Sequence, residues 1–453
     1  MQHSAMATAV EDPRGLKRSL GTLPLIAQSL AGIGLTLTAV VNIPLIVATA
    51  GTSTWICYLI AALAVVLVSE TLLLFRRHPS GAEGIAAFVA LGLGEAWGGM
   101  AAWGLLLAYG SAAVCCLAVF GQYLDGLLRR LDLTLLPVLG FVAGALICLV
   151  LARRNARLSG FLMLGTEAIS TTIVLGLCAV LVFKGAGGAA AATPLQTSAI
   201  PQQVSSGLVI ALLSFAGFES AATLGAEALD PERSVPRALR SSVLITAGLF
   251  LIWSYLLALG LEQLPVAMRQ GPEALPALAD HLGRPGAGVM IEIGAFLCTF
   301  GSSLALLSCL GRVGFALARQ GVLPRRLSVV HRRFGTPARA ITLGTAVAVV
   351  VGLTLARLGM TPDAIYDLCG GFSALAFLLA YLLVAIAGWR HGAERVSWAR
   401  VRGTCGGSAL VLIAILVAFL AGAVASQGAM LFWFAGLTAT GALLVRRGRR
   451  RSV

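Results

Sequence analysis

Residues 204–226 read VSSGLVIALLSFAGFESAATLGA, and this stretch decides the fold. It is long and apolar enough to cross a bilayer, which takes about 20 residues as a helix. Its middle is nonetheless Ser214-Phe-Ala-Gly-Phe-Glu-Ser220, which puts the carboxylate of Glu219 at membrane depth. Such a charge is costly in lipid unless it is paired, hydrated or protonated. A helix can break there only where the freed backbone groups face protein, water or ligand. The stretch therefore predicts a span interrupted around 214–220 that opens on the interior of a helical bundle.

The rest of the chain agrees with a membrane setting. Its 453 residues are 58% apolar and 11% charged, where a soluble domain is about 25% charged. A net charge of +14 would ordinarily raise nucleic acid as a partner. Here the basic residues punctuate long apolar runs, so no nucleic-acid partner is expected. The nine Cys are scattered, form no CxxC pair and sit almost entirely in apolar runs, where free Cys packs as a small hydrophobe. The five His fall in polar connections with no second ligand at metal spacing, so no metal site is expected. Neither a phosphate-binding GxxxxGK[ST] loop nor a GxSxG nucleophile elbow is present, and no catalytic residue is assigned.

A span-length window gives twelve candidates, at about 23–50, 54–75, 96–120, 133–152, 159–183, 204–226, 238–262, 285–318, 338–357, 364–389, 404–426 and 428–445. Residues 80–93 form a short amphipathic piece, and the Gly- and Ala-rich 184–203 reads as a loop. Residues 1–22 do not have the pattern of a signal peptide, so the first span is expected to be retained. With an internal N-terminus, 27 of the 33 Lys and Arg fall on one side, including Arg14, Lys17, Arg76, Arg77, Arg312, Arg395 and Arg400. Lys184 is among the six on the other side. Cytoplasmic loops carry such an excess, so both termini are predicted cytoplasmic.

Two spans differ from the featureless Leu/Ala/Val helices around them. Span 6 holds the break described above. Span 1 contains AGIGLTLTAVVNIP (31–44), with Gly32, Gly34, Thr36, Thr38 and Pro44. A discontinuous helix presents N–H groups at one half and carbonyls at the other, which suit the carboxylate and ammonium of a zwitterion. Spans 1 and 6 occupy corresponding places in two five-span halves, the pattern of an inverted-repeat transporter.

At this point the sequence resembles a known family. LLSFAGFESAATLGAE (212–227) followed by DPERSVPRA (230–238) is similar to the span-6 signature of the amino acid–polyamine–organocation (APC) permeases. GRVGFALARQGVLP (311–324) with Thr336-Pro337 resembles the end of span 8 in the same family. Ala27-Gln-Ser, Ala48-Thr-Ala-Gly51 and Trp103–Tyr109 agree more weakly. The family's Gly-small-Gly in span 1 is displaced, because Leu37-Thr38-Ala39 stands in its place when counted back from Pro44. The bend is therefore expected at Gly32–Thr36.

The resemblance implies a substrate site on the broken spans and span 3, formed by Ile33, Gly34, Thr36, Thr38, Trp103, Ser214, Phe215, Ala216 and Gly217. Phe215 is the aromatic that would cover the substrate, against the alternative of ordinary packing. Glu219 is the candidate protonation-sensitive gate or substrate contact, with a protonated, purely structural carboxyl bonded to span-1 backbone as the alternative. Glu167, mid-way along span 5, resembles by position a coupling group of proton-driven members. The alternatives are a structural bond to Ser302 or Ser303 of span 8, or a sodium site in which those hydroxyls take part. Glu70 and Glu292 read as interfacial, while Asp230, Glu232, Arg233 and Arg237 read as loop ion pairs.

The expected architecture is all-α and integral to the membrane, with about twelve transmembrane helices. It comprises a cytoplasmic tail (1–22), an inverted-repeat core (23–389), spans 11–12 with their loop (390–445) and a basic tail (446–453). The expected function is secondary transport of amino acids by alternating access, with no cofactor and a proton gradient, or alternatively sodium, as drive. A polyamine or organocation permease, an amino acid exchanger, and a non-transporting sensor or channel are the other readings. The Arg-over-Lys bias suggests a bacterial source, hence the inner membrane, with a small amino acid and the lipid bilayer as partners. The sequence leaves the oligomeric state open.

Overall fold

The computed structural model describes residues 16, 18–74, 84–154, 156–183, 201–271, 273–392, 401–426 and 428–450. Helices make up most of these residues, and the one bridge among them pairs Leu20 with Ala228. That is the form apolar segments take where no water satisfies backbone groups. In chain order the main helices are α1 (Thr22–Ile33), α2 (Ile43–Ala50), α3 (Thr54–Leu73), α4 (Ile85–Leu93), α5 (Glu95–Arg129), α6 (Pro137–Arg154) and α7 (Ala156–Phe183). They continue with α8 (Pro201–Leu213), α9 (Pro231–Leu261), α10 (Ala274–His281), α11 (Pro285–Arg319), α12 (Ala338–Arg357), α13 (Pro362–Gly392), α14 (Gly407–Ser426) and α15 (Gly428–Arg450).

Ten helical stretches among the described residues are long and apolar enough to cross a membrane. The difference from the expected twelve has two causes. Thr22–Leu73 counts as one stretch of 52 residues but holds both of the first two expected spans. The expected sixth is cut at Leu213 and falls below span length. Its helix already starts at Pro201, inside the stretch read as loop, while 184–200 lies outside the described residues. Of the short piece 80–93, residues 85–93 are helical and 80–83 lie outside the described residues. Arg446, Arg447, Arg449 and Arg450 extend α15 rather than forming a separate tail. Arg14, Lys17, Arg76, Arg77, Lys184, Arg395, Arg400 and Arg451 lie outside the described residues.

The centre of the bundle is built on α5 and α11, the two 35-residue helices, which pack on each other and on α13 and α7. Small residues let the backbones approach. A Cβ at Gly121 would meet the Pro137 carbonyl, and one at Gly311 would meet Ile341. The last two helices are peripheral, and Phe432 is 76% and Trp433 65% exposed, as a lipid-facing surface requires. The start of α9 follows local rules: Asp230 accepts the Arg233 N–H at 3.2 Å and Pro231 occupies the first turn. All nine Cys are free and buried.

Candidate functional site

Both interruptions are set by a glycine in the left-handed region. The first follows α1, where Gly34 has φ +72° and donates its N–H to the Leu30 carbonyl at 3.0 Å. A Cβ at Gly34 would also sit 2.9 Å from Ser302 Oγ, so the position needs glycine for conformation and for packing. The chain then makes a helical turn over Leu35–Leu37 and a wide π turn over Thr38–Asn42 before α2. Pro44 lies in the first turn of α2 and does not itself make the break.

The second interruption follows α8. Residues 214–219 form tight turns, Gly217 has φ +103°, and helix resumes at Ser220. A Cβ at Gly217 would collide with the Gly32 carbonyl, so the two breaks meet backbone to backbone. They are also stitched together. Ser29 Oγ donates to the Phe218 carbonyl at 2.6 Å, and Ser220 Oγ donates to the Gln28 carbonyl at 3.0 Å. Gln28 Nε2 donates to the Ala305 carbonyl on α11 at 3.1 Å. The first half of span 1 and the second half of span 6 thus form one hydrogen-bonded unit.

Glu219 stands at the seam of that unit. Tyr109 of α5 donates to its Oε1 at 2.6 Å, and Tyr381 of α13 donates to its Oε2 at 2.5 Å. The Gly217 N–H donates to Oε2 at 3.2 Å. The carboxylate is therefore held by two phenols and a backbone amide, with no bond from span-1 backbone as the structural alternative required. It ties α5 and α13 to the second break. Hydrogen bonds to an ionised acceptor are the strong kind, at about 1.5–3 kcal/mol each.

Glu167 on α7 is the opposite case. It is 2% exposed, and neither carboxylate oxygen has a hydrogen bond of ordinary geometry. The expected bond to Ser302 or Ser303 is not formed. Ser303 donates instead to the Thr299 carbonyl at 2.7 Å, and Ser302 Oγ lies 4.0 Å from Cys298 Sγ. The polar groups facing Glu167 are the Cys298 thiol and the Leu35 N–H, which opens the turn after the first break. The Thr36 and Thr38 hydroxyls in the following turns are likewise buried with no hydrogen-bond partner. Buried polar oxygens without ordinary hydrogen bonds thus occur both on α7 and in the turns after the first break.

The remaining expected residues divide. Ser214 accepts from Asn42 Nδ2 at 2.9 Å and lies 3.0 Å from the Tyr58 hydroxyl, while Tyr366 donates to Asn42 Oδ1 at 2.8 Å. This second network joins the second half of span 1 to the end of α8, α3 and α13. Ile33 and Ala216 are buried beside the two breaks. Two aromatics point elsewhere. Trp103 donates Nε1–H to the Leu437 carbonyl of α15 at 2.9 Å, so it fixes a peripheral helix. Phe215 packs on Phe250 at 5.0 Å and Tyr58 at 6.5 Å, in an aromatic cluster on α3 and α9. Phe218, which precedes Glu219 in the chain, packs on Tyr381 at 5.5 Å.

Sequence reasoning missed Tyr381 and a buried ion pair. Arg312 on α11 donates Nε–H to Glu227 Oε1 at 2.6 Å and Nη2–H to Oε2 at 3.1 Å. Both residues are almost fully buried. Their bond locks the end of span 6 to α11. Of the acids read as interfacial, Glu70 pairs with Arg240 at 2.7 Å and Glu292 with Arg130 at 2.5 Å. Arg233 and Asp230 approach to 3.8 Å, while Glu232 and Arg237 form no loop ion pair among the described residues.

Cavities lie on either side of the closed centre. One of about 390 Å³ is lined by Thr223, Glu227, Arg312, Arg319 and Glu95, toward the chain termini. Another of about 350 Å³ adjoins Asn42, Tyr366 and Asp367.

A family profile described as amino acid permease matches residues 20–445. The chain is similar to an uncharacterized transporter of Mycobacterium tuberculosis, 28% identical over 319 residues that cover 68% of this chain and 66% of the relative. It is also similar to the serine/threonine exchanger SteT of Bacillus subtilis, 26% identical over 309 residues covering 67% of each chain. Human cationic amino acid transporter 4 is 27% identical over 395 residues, 82% of this chain and 59% of the relative. The matched region thus spans about two thirds of the two bacterial relatives' length.

Proposed function

The chain belongs to the amino acid permease family, and on that footing we propose that it is a secondary active transporter moving amino acids across the bacterial inner membrane by alternating access. The observation that carries this reading is the pair of facing breaks, stitched to each other and clamped through Glu219 to α5 and α13. A rigid stitched unit bonded to a surrounding scaffold by a few strong bonds is what a rocking bundle needs. Twelve crossings, two inverted halves and internal termini follow from the same reading, supported by the 27 basic residues on one side.

The substrate carboxylate would meet the backbone around Ile33, Gly34 and Ala216–Gly217, and its ammonium the carbonyls that the breaks free. Thr36, Thr38 and Ser214 supply hydroxyls beside the first and second breaks. Trp103 and Phe215 are left out, because each is engaged in packing away from the seam. Opening toward the cavity near the termini requires Tyr109 and Tyr381 to leave Glu219. Coupling falls to Glu167, whose oxygens have no hydrogen bond of ordinary geometry and face the Cys298 thiol and the Leu35 N–H of the turn after the first break. A proton is the coupling ion in this reading. Sodium, which takes oxygen ligands, is the alternative that Thr36 and Thr38 favour. Obligate exchange is a second reading, favoured by the similarity to a named exchanger.

The test is uptake of a radiolabelled amino-acid panel into liposomes containing the purified protein, with and without proton and sodium gradients. Saturable uptake of at least one amino acid, increased by an inwardly directed proton gradient, is expected. Uptake only into preloaded vesicles, indifferent to either gradient, would establish exchange. No saturable flux under any condition would overturn the transporter reading.

A further inference from the structure

The cavity of about 350 Å³ lies between the second half of span 1, α8, α13 and α14, on the face away from the termini. Its size is that of a small-molecule site, which runs from about 300 Å³ upward. The walls are apolar, with Val209, Leu213 and Phe419 on them, and Gly370 and Gly422 leave room for an occupant. A Cβ at Gly422 would meet nothing within 4 Å. The polar groups gather at one place: Asn42, Tyr366 and Asp367.

Two of these three are already engaged. Tyr366 donates to Asn42, and Asn42 donates to Ser214. Asp367 is the one charged side chain lining the cavity, and it forms no ion pair among the described residues. Asp363, one turn earlier on α13, accepts only a long bond of 3.4 Å from Gln122. The basic residues that end α5 near this end of α13 are taken, Arg129 by Asp125 at 2.8 Å and Arg130 by Glu292 at 2.5 Å. The cavity thus offers an exposed carboxylate with no ion-pair partner among the described residues, at the edge of an apolar pocket.

We propose that this cavity binds a small organic ammonium with an apolar body and no carboxylate. The ammonium pairs with Asp367 and the hydrocarbon lies along Val209, Leu213 and Phe419. A zwitterionic amino acid is disfavoured, because its carboxylate would be brought against Asp367 and Asp363. The site adjoins both breaks, since Asn42 ends the turn after the first and Leu213 precedes the second, and its Asn42 and Tyr366 belong to the Tyr366–Asn42–Ser214 chain. An occupant therefore holds span 1, α8 and α13 together and slows their separation during transport.

The test is thermal unfolding of the purified full chain in detergent, titrated with n-butylamine or with butyrate at constant ionic strength. Transport takes no part in the readout, so its outcome is independent of the proposed function. A saturable rise in the unfolding midpoint with butylamine and none with butyrate is expected. Asp367→Asn should weaken the apparent butylamine affinity by about tenfold or more, as loss of a charge-assisted bond implies. Asp367→Glu should largely retain it. Gly422→Leu keeps every charge, fills the cavity and should abolish the shift even if Asp367→Asn fails to fold. No saturable shift with the wild-type chain, an equal shift with butyrate, or a shift undiminished in both Asp367→Asn and Gly422→Leu would overturn the proposal.

Discussion

Glu219 and Glu167 are both carboxylates buried in the membrane-spanning bundle, and they differ in almost everything else. Glu219 receives three donors from three parts of the chain: Tyr109, Tyr381 and the Gly217 amide. Glu167 has no hydrogen bond of ordinary geometry to either oxygen. A satisfied buried acid holds structure together, and an unsatisfied one is kept at a cost that a second role must justify. On the proposed reading, this contrast is what gives the gate to Glu219 and the coupling to Glu167.

Removing the clamp should have the largest effect. Glu219→Leu leaves both phenols without an acceptor and should lower uptake by more than about 100-fold, because each charge-assisted bond is worth about 1.5–3 kcal/mol. Rates of uptake at saturating substrate, normalised to protein inserted in the membrane, would show it. An uptake rate within a few-fold of wild type would mean that the clamp holds no gate. Gly217→Ala comes next. It forces a side chain into positive φ and against the Gly32 carbonyl, which should cost about 1–3 kcal/mol and shift the unfolding midpoint downward.

Glu167→Gln is the complementary change. Since no hydrogen bond is lost, its unfolding midpoint should match or exceed the wild type. Uptake by the wild type should rise as external pH falls, whereas the variant should be flat across the same range. A wild-type pH profile in the variant would remove Glu167 from the coupling role. Tyr109→Phe and Tyr381→Phe should each reduce uptake by about tenfold, and the double variant should be less than additive because the two phenols share one carboxylate. Trp103→Phe should change least. It removes one bond to α15, about 0.5–1.5 kcal/mol of stability, and should leave the KM for substrate unchanged.

What is legible in the sequence follows from what each signal encodes. A charge inside an apolar run is visible at once, so Glu219 and Glu167 stand out from the residue order alone. Gly34 and Gly217 stand out because breaks in lipid favour glycine. The partners are harder to see. Tyr109 and Tyr381 lie 110 and 162 residues from Glu219, and no local pattern joins them. Arg312 fits the excess of basic residues on one side, so it reads as an orientation signal. Its bidentate bond to Glu227 exists only in the folded bundle. Helix α5 is apolar on nearly every face and Phe215 lies in the turns after α8, so the direction of Trp103 or Phe215 has no periodic signature. Twelve spans can be read from hydropathy, but the cut at Leu213 makes the sixth too short to pass as one helix.

The most direct measurement compares gradient-driven accumulation with counterflow for one amino acid in proteoliposomes holding wild type, Glu167→Gln or Glu219→Gln. Counterflow needs the moving bundle but no gradient, and accumulation needs both. Glu167→Gln should keep counterflow and lose proton-driven accumulation, while Glu219→Gln should be impaired in both. Wild-type accumulation by Glu167→Gln, or unimpaired counterflow by Glu219→Gln, would contradict the division of labour between the two carboxylates.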